Sequence, residues 1–335
     1  MRDQVTVFGT GVAGLSAALA LQAGGTRILM VERGSPRPSD AREVVGDEFF
    51  RLMAAAGHPD LRSELQPLIP VDAITTHWPG NSGLDWAAVF RPAERRWAID
   101  RSALEAALRR SVLAHGIEIA PGGDKLRPDE IRGLVVDATG RAAAVARRIG
   151  ARLVPITGLV AISARGHFAW PTTPVVEAGP DGWWFAIGGD QAATTYFTDA
   201  AEAATIQTAE NLAARLAKTV LLSGHFAVDI SVGLTRSSAA SSYLEPCGGA
   251  SWAAVGDAAL ARDPLASHGL TFAVQSALHL KAACMTETFD AETYLQPVSV
   301  EIARYRIARQ RLYLAGAEAF DRPFWRARAS LTTAG

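Results

Sequence analysis

The sequence predicts an α/β fold, a parallel-sheet domain assembled from both ends of the chain with an inserted, mostly antiparallel β-sheet domain and C-terminal helices. Three observations lead there. Val5-Thr6-Val7-Phe8 is a β-rich run that gives way to glycines and then to Ala/Leu periodicity through Leu21, which reads as strand, turn and helix. Arg27-Ile28-Leu29-Met30-Val31, after the helix-stopping Gly24-Gly25, completes a βαβ unit. Residues 160–198 are rich in aromatic and β-branched residues broken by Gly and Pro, as antiparallel sheet requires.

The remaining elements follow in chain order. Residues 35–40, with two prolines, read as a loop; Arg101 to His115 has helical Ala/Leu spacing, and Leu134-Val135-Val136 is a buried-strand run. Residues 151–235 read as mostly antiparallel sheet with a helix near Ala200 to Leu222, and residues 258–283 and 297–319 return to helical patterns. The expected organisation is a discontinuous first domain (1–70, 95–150 and 245–290), a substrate-binding sheet domain (71–94 and 151–244) and a C-terminal helical segment (291–335).

Composition narrows the function classes. The 335 residues carry 33 Lys+Arg against 34 Asp+Glu, so no excess positive charge is available for a phosphate backbone or an anionic bilayer. Nucleic acid is therefore not an expected partner. Cys247 and Cys284 are the only cysteines, without metal-ligand spacing, and the seven histidines show none either, so no metal is expected. The N-terminus reaches a strand at once and no apolar run approaches the ~20 residues that span a bilayer. A cytoplasmic protein without stable membrane association is the expectation.

Gly9-Thr10-Gly11-Val12-Ala13-Gly14 is a complete GxGxxG between strand and helix, which defines a Rossmann-type dinucleotide site. Gly9 permits the tight turn, Gly11 lets the backbone approach a diphosphate, and Gly14 allows close helix-strand packing. The N–H groups of Val12 and Ala13 lie at the helix start, whose dipole favours an anion. Glu32, with Arg33 beside it, ends the second strand, where a carboxylate accepts from an adenosine ribose and disfavours a 2′-phosphate.

That motif does not separate NAD from FAD; two later segments do. Asp137-Ala138-Thr139-Gly140 is a strand running into a small-residue turn. Val255-Gly256-Asp257 is another, followed by Asp263-Pro264-Leu265-Ala266-Ser267-His268-Gly269-Leu270 opening a helix. Asp257 can bind a ribityl or diphosphate-side hydroxyl, and the helix start at Gly269 can direct partial positive charge at a flavin edge that gains negative charge on reduction.

This set resembles the FAD-dependent aromatic monooxygenase superfamily. Gly182-Trp183-Trp184-Phe185 and Arg322-Pro323-Phe324-Trp325 are similar to its tryptophan-halogenase-like branch, closest to the flavoproteins that oxidise a peptidyl tryptophan during quinone-cofactor biogenesis. The resemblance implies a Rossmann-type FAD-binding domain and hydroxylation of an indole-like aromatic substrate through a flavin C4a-hydroperoxide. Trp184 and Phe185 would line an aromatic pocket or pack in the core. His268, in the flavin-proximal loop, would handle protons or simply cap a helix, imidazole being the side chain suited to exchange near neutral pH. Arg42 and Arg101 would border the adenine-diphosphate side or be surface charges. Electrons would come from NAD(P)H or from a partner flavin reductase supplying FADH2, and the substrate would be an aromatic small molecule or a peptide.

Halogenation is the rival chemistry of this branch. Halogenases resembling it carry an essential lysine between the first βαβ unit and the central strand, but residues 33–124 contain no lysine. Their W-x-W-x-I-P motif appears here as Trp183, Phe185, Ile187 and Gly188, without the second Trp and the Pro. A different FAD oxidoreductase and a non-catalytic FAD-binding maturation chaperone remain the other readings.

Overall fold

The computed structural model describes residues 4–32, 42–71, 73–80, 95–122, 131–189, 192–266, 268–285 and 288–330. The chain forms two compact units, Met1–Leu68 with Ile99–Pro155 and Ser242–Tyr305, and Ile69–Ala98 with Ile156–Ser241 and Arg306–Gly335.

The first unit is built on a six-stranded sheet. Strands β1 (Val5–Phe8), β2 (Ile28–Glu32), β3 (Glu118–Pro121) and β4 (Leu134–Asp137) run parallel in the order β4-β1-β2-β3, and Trp252–Ala254 continues the parallel run beyond β4. The registers Phe8↔Val31, Phe8↔Asp137 and Ala254↔Asp137 bring the carboxyl ends of four strands level. Strands β1, β2 and β4 consist largely of buried Val, Ile, Leu and Met, as strands covered on both faces demand, whereas the edge strand β3 is only partly buried. Helices α1 (Val12–Gln22), α2 (Arg101–Ala114) and α3 (Gly269–Ala283) cover the sheet, and α1 packs along both of the others. Helix α2 starts where Asp100 Oδ1 accepts from the Ala103 N–H at 2.8 Å, a side-chain cap for an otherwise orphaned amide.

The second unit carries a seven-stranded sheet. Its centre is antiparallel: β5 (Val160–Phe168), β6 (Val175–Gly179), β7 (Gly182–Ile187) and β8 (Ala193–Thr198) lie in the order β5-β8-β7-β6. Side chains alternate across a strand, so Trp184, Ala186, Ile162 and Tyr196 share one face. There they form a core with Ala203, Ile206, Leu212 and Leu216 from two short helices, Ala200–Thr205 and Ala209–Leu216. Trp183 and Phe197 stack on the opposite face with centroids 4.0 Å apart, and Trp183 donates to the Tyr313 hydroxyl at 3.2 Å. Tyr313 lies on α4 (Ala291–Phe320), and α5 (Pro323–Ala329) follows. Trp325 of α5 donates to the Gly179 carbonyl at 2.9 Å and stacks on Phe320. It closes over Gly316, where any Cβ would stand 2.1 Å from the indole.

The expected helix near 200–222 is two helices, because Thr208 and Asn211 form a reciprocal capping box that starts a new one. Helix α3 begins at Gly269 rather than Ala258: the intervening residues form 3-10 turns around Gly256 and Pro264. The C-terminal segment 291–335, expected to be helical, holds α4 and α5, and the division between the two units falls within α4. The loop expected at 35–40 lies outside the described residues.

Asp137 ends β4 and is almost fully buried. Its Oδ1 accepts from the Thr139 N–H (2.8 Å) and hydroxyl (2.6 Å), and its Oδ2 from the amides of Val145 (3.0 Å) and Ala146 (2.7 Å). Asp137→Ala orphans two buried helix amides, and about 1–3 kcal/mol is lost per stranded donor. The urea unfolding midpoint is expected to fall well below wild type, with Asp137→Asn in between; an unchanged midpoint for the alanine variant would contradict this.

Candidate functional site

Parallel strands deliver their following loops to one edge, the place where open α/β sheets bind ligands. Here three loops and one strand end meet at that edge: Gly9–Gly11 after β1, Glu32 at the end of β2, Ala138–Gly140 after β4 and Val255–Asp257 after the strand Trp252–Ala254. The glycines show why they are needed. Gly9 has φ +111, and a Cβ there would stand 2.2 Å from the Ala138 carbonyl oxygen; one on Gly14 would stand 2.0 Å from the Gly9 carbonyl oxygen. Gly256, φ +58, sits so close to α1 that its Cβ would lie 2.5 Å from that of Ala13, and its N–H donates to Ser276 Oγ of α3 at 2.9 Å. Gly11 differs, because nothing lies within 4 Å of where its Cβ would be.

The first turn of α1 contains no acidic residue and no side chain caps it; Val12 is buried and Ala13 half-buried there. Helix α3 starts the same way, with His268 at its N-cap position. Both helix starts therefore present amides and partial positive charge suited to an anion or an electron-rich group.

Glu32 is held from two sides. Arg109 of α2 binds it in a fork, Nη1 to Oε1 at 2.7 Å and Nη2 to Oε2 at 3.1 Å, and the Thr10 hydroxyl donates to Oε1 at 2.7 Å. The Arg109 bonds outweigh the opposing effect of burial and, with Thr10, hold the carboxyl below its ordinary pKa. Thr10 thus joins the glycine turn to the strand-end acid, leaving acceptor capacity on Oε2. Arg101 pairs with Glu43 (3.0 Å) and Glu105 (3.1 Å); burial works against its charge, but the two carboxylates prevail and raise its pKa.

Asp257 faces three guanidinium groups. Burial pushes its carboxyl pKa up, and Arg141, then Arg101 and Arg262, work against that. Arg141 Nε lies 3.3 Å from Asp257 Oδ2, and its Nη2 donates to the Arg262 carbonyl at 3.0 Å. The following loop is braced by local bonds. Tyr305 accepts from the Asp263 N–H at 2.7 Å, Asp263 Oδ1 accepts from the Leu265 N–H at 3.0 Å, and Arg262 pairs with Glu301 at 2.7 Å above the Phe272 ring.

The structure thus gathers Gly9, Gly11, Val12, Ala13, Gly14, Glu32, Thr139, Gly140, Gly256 and Asp257 at the sheet edge, with Pro264, His268, Gly269 and Leu270 in the loop and first turn of α3. Thr139 spends its hydroxyl on Asp137 and on the Ala144 amide, so its part is to hold the loop. Gly140, φ +68, has open space where a Cβ would be. Arg42 is half-buried at the start of the strand Arg42–Gly46. Arg33 and Ser267 lie outside the described residues. In the second unit, Trp184 is 2% exposed and stacks on Tyr196 within the core, because strand alternation assigns it to the helix-covered face; Phe185 is half-buried on the other face. Arg109, Arg262 and Tyr305 had escaped sequence reading, since nothing local marks a guanidinium or phenol as the partner of a distant loop. Cys247 is buried, which pushes its thiol up to about 12 and keeps it protonated at neutral pH.

Within the described residues the donor set fits FAD: amides of an uncapped helix for a diphosphate, a fixed carboxylate for ribose, a second for the sugar-alcohol chain, and a second helix start for the ring. No family model matches the chain. A protein of Marinomonas mediterranea, provisionally named as the FAD-dependent oxidoreductase LodB, is 24% identical over 96% of this chain and 95% of its own length. Among solved structures, the peptidyl tryptophan dihydroxylase QhpG superposes with a TM-score of 0.76 at 22% identity, covering 100% of this chain and 80% of its own. The flavin-dependent halogenase CmlS gives 0.79 at 20% identity, over 100% of this chain and 68% of its own. The chain has the fold shared by this flavin-dependent halogenase and the dihydroxylase.

Gly11→Val tests the site without disturbing the packing, since φ −77 suits any residue and the space is open. Melting temperature is expected to be unchanged while FAD affinity drops at least ~100-fold, about 2.8 kcal/mol. Undiminished FAD binding would contradict the placement of the diphosphate.

Proposed function

We propose that this chain is an FAD-dependent monooxygenase that hydroxylates an indole-like aromatic group, with a peptide-borne tryptophan as the favoured substrate. The convergence of three loops, the Glu32 strand end and two helix starts without side-chain caps at one sheet edge carries the reading. Similarity to QhpG and LodB supports it. Bound at this edge, FAD supplies the two-electron chemistry and the activation of O2.

The chain's own groups do the rest. The α1 amides hold the diphosphate, and Glu32, kept ionised and oriented by Arg109 and Thr10, accepts from the adenosine ribose. Asp257 accepts from a hydroxyl of the linking chain. The start of α3 would offer partial positive charge to the flavin ring, and His268 at its N-cap position would be the group there able to hold or release a proton. Phe185, half-buried beside the hydrogen-bonded hydroxyls of Ser163 and Thr195 (2.8 Å), offers an aromatic surface for substrate, a role the core position denies Trp184. Electrons enter from NAD(P)H or as FADH2 from a flavin reductase.

Hydroxylation is preferred to halogenation because no lysine occurs between residues 33 and 124. Arginine does not replace it, since its guanidinium stays protonated and is a poor nucleophile.

The test is mass spectrometry of indole, free tryptophan and tryptophan-containing peptides after turnover with FAD, a flavin reductase, NADH, chloride and labelled O2. A gain of labelled oxygen on the indole is expected. A gain of chlorine would establish the halogenase instead, and tight peptide binding without any mass change would leave a maturation chaperone.

A further inference from the structure

We propose that Arg141 is a positioning residue for the cofactor, a single guanidinium that joins the loop after β4 to the Gly256-Asp257 turn and to Arg262, and so keeps the Asp257 carboxylate charged and aimed at bound FAD. The inference rests on the FAD reading above and adds a residue to it.

The geometry is specific to this side chain. Nε reaches Asp257 Oδ2 at 3.3 Å while Nη2 donates to the Arg262 carbonyl at 3.0 Å, so one planar group spans two loops. Lysine, with one ammonium centre, cannot reproduce that span. Three guanidinium groups act on Asp257, but Arg101 is engaged by Glu43 and Glu105 and Arg262 by Glu301. Arg141 is the one of the three within ion-pair distance of it among the described residues.

A partly exposed ion pair contributes little to folding, and both side chains here are about one-third exposed, 33% for Arg141 and 35% for Asp257. The pair matters once the cofactor arrives. A hydroxyl of bound FAD that donates to Asp257 favours the charged carboxylate over the neutral acid, since a neutral carboxyl is a weaker acceptor, roughly by half. Asp257 must therefore shed any proton for FAD to bind at full strength, and Arg141 opposes that protonation.

The signs follow. Burial raises the Asp257 pKa and Arg141 is the largest influence lowering it, so removal of Arg141 raises it further. FAD binding then weakens as pH falls through that raised value. The experiment is equilibrium FAD binding, by quenching of flavin fluorescence, from about pH 4.5 to 8 on the full chain. Arg141→Lys, which keeps a positive charge, is expected to keep the pH dependence of wild type and to bind uniformly more weakly. Arg141→Gln is expected to start losing affinity at a pH about one unit or more above wild type. Arg141→Met replaces it if glutamine does not fold. Adding Asp257→Asn to Arg141→Gln removes the titrating group and is expected to abolish that displaced fall. A fall at the same pH in Arg141→Gln as in wild type, whether at wild-type affinity or uniformly reduced, would overturn the proposal, as would a displaced fall that survives Asp257→Asn. Wild type that binds no FAD at any pH would instead defeat the underlying cofactor reading.

Discussion

The site depends on a backbone approach that only glycine permits. Because Gly9 lacks a side chain, the turn after β1 lies against the Ala138 carbonyl; because Gly14 lacks one, α1 lies against Gly9 in turn. Gly256 repeats the device from the other side, bringing the third loop onto Ala13. These three close approaches place loops more than 100 residues apart in sequence around the start of one helix. The first two are steric conditions on backbone oxygens and the third meets the Ala13 Cβ, so no change of rotamer relieves any of them.

On that frame the charges are arranged in opposed sets. Glu32 meets Arg109, Asp257 meets Arg141, Arg101 meets Glu43 and Glu105, and Arg262 meets Glu301. Near neutrality in net charge, the chain still concentrates guanidinium groups around the loops proposed to hold FAD, whose diphosphate and reduced ring would need compensation. The carboxylates keep those groups oriented and supply acceptors for sugar hydroxyls. The second unit follows different logic: one sheet face is a dry core containing Trp184, and the other carries the Trp183–Phe197 stack held by Tyr313.

Most of the first unit was legible in the sequence, because its determinants are local. GxGxxG between a strand and a helix, Glu32 at a strand end and the Gly256-Asp257 turn are patterns whose meaning lies within a few residues. The two faces of β7 were harder. Trp183, Trp184 and Phe185 are adjacent aromatics, and which one is consumed by the core is decided by the helices Ala200–Thr205 and Ala209–Leu216 covering one face. The partners of the site acids were invisible for a related reason. Arg109 is 77 residues from Glu32, and in a chain whose basic residues are nearly all arginine none stands out until the fold brings it there.

The central claim is that this edge is shaped for the whole length of FAD, adenosine half included. Calorimetric titration of the flavin-free protein with FAD and, separately, with FMN tests it most directly. One FAD is predicted to bind per chain, with FMN, which cannot reach Glu32 or the α1 amides through an adenosine diphosphate, at least ~100-fold weaker. Equal affinity for the two, or no heat with either, would contradict the account.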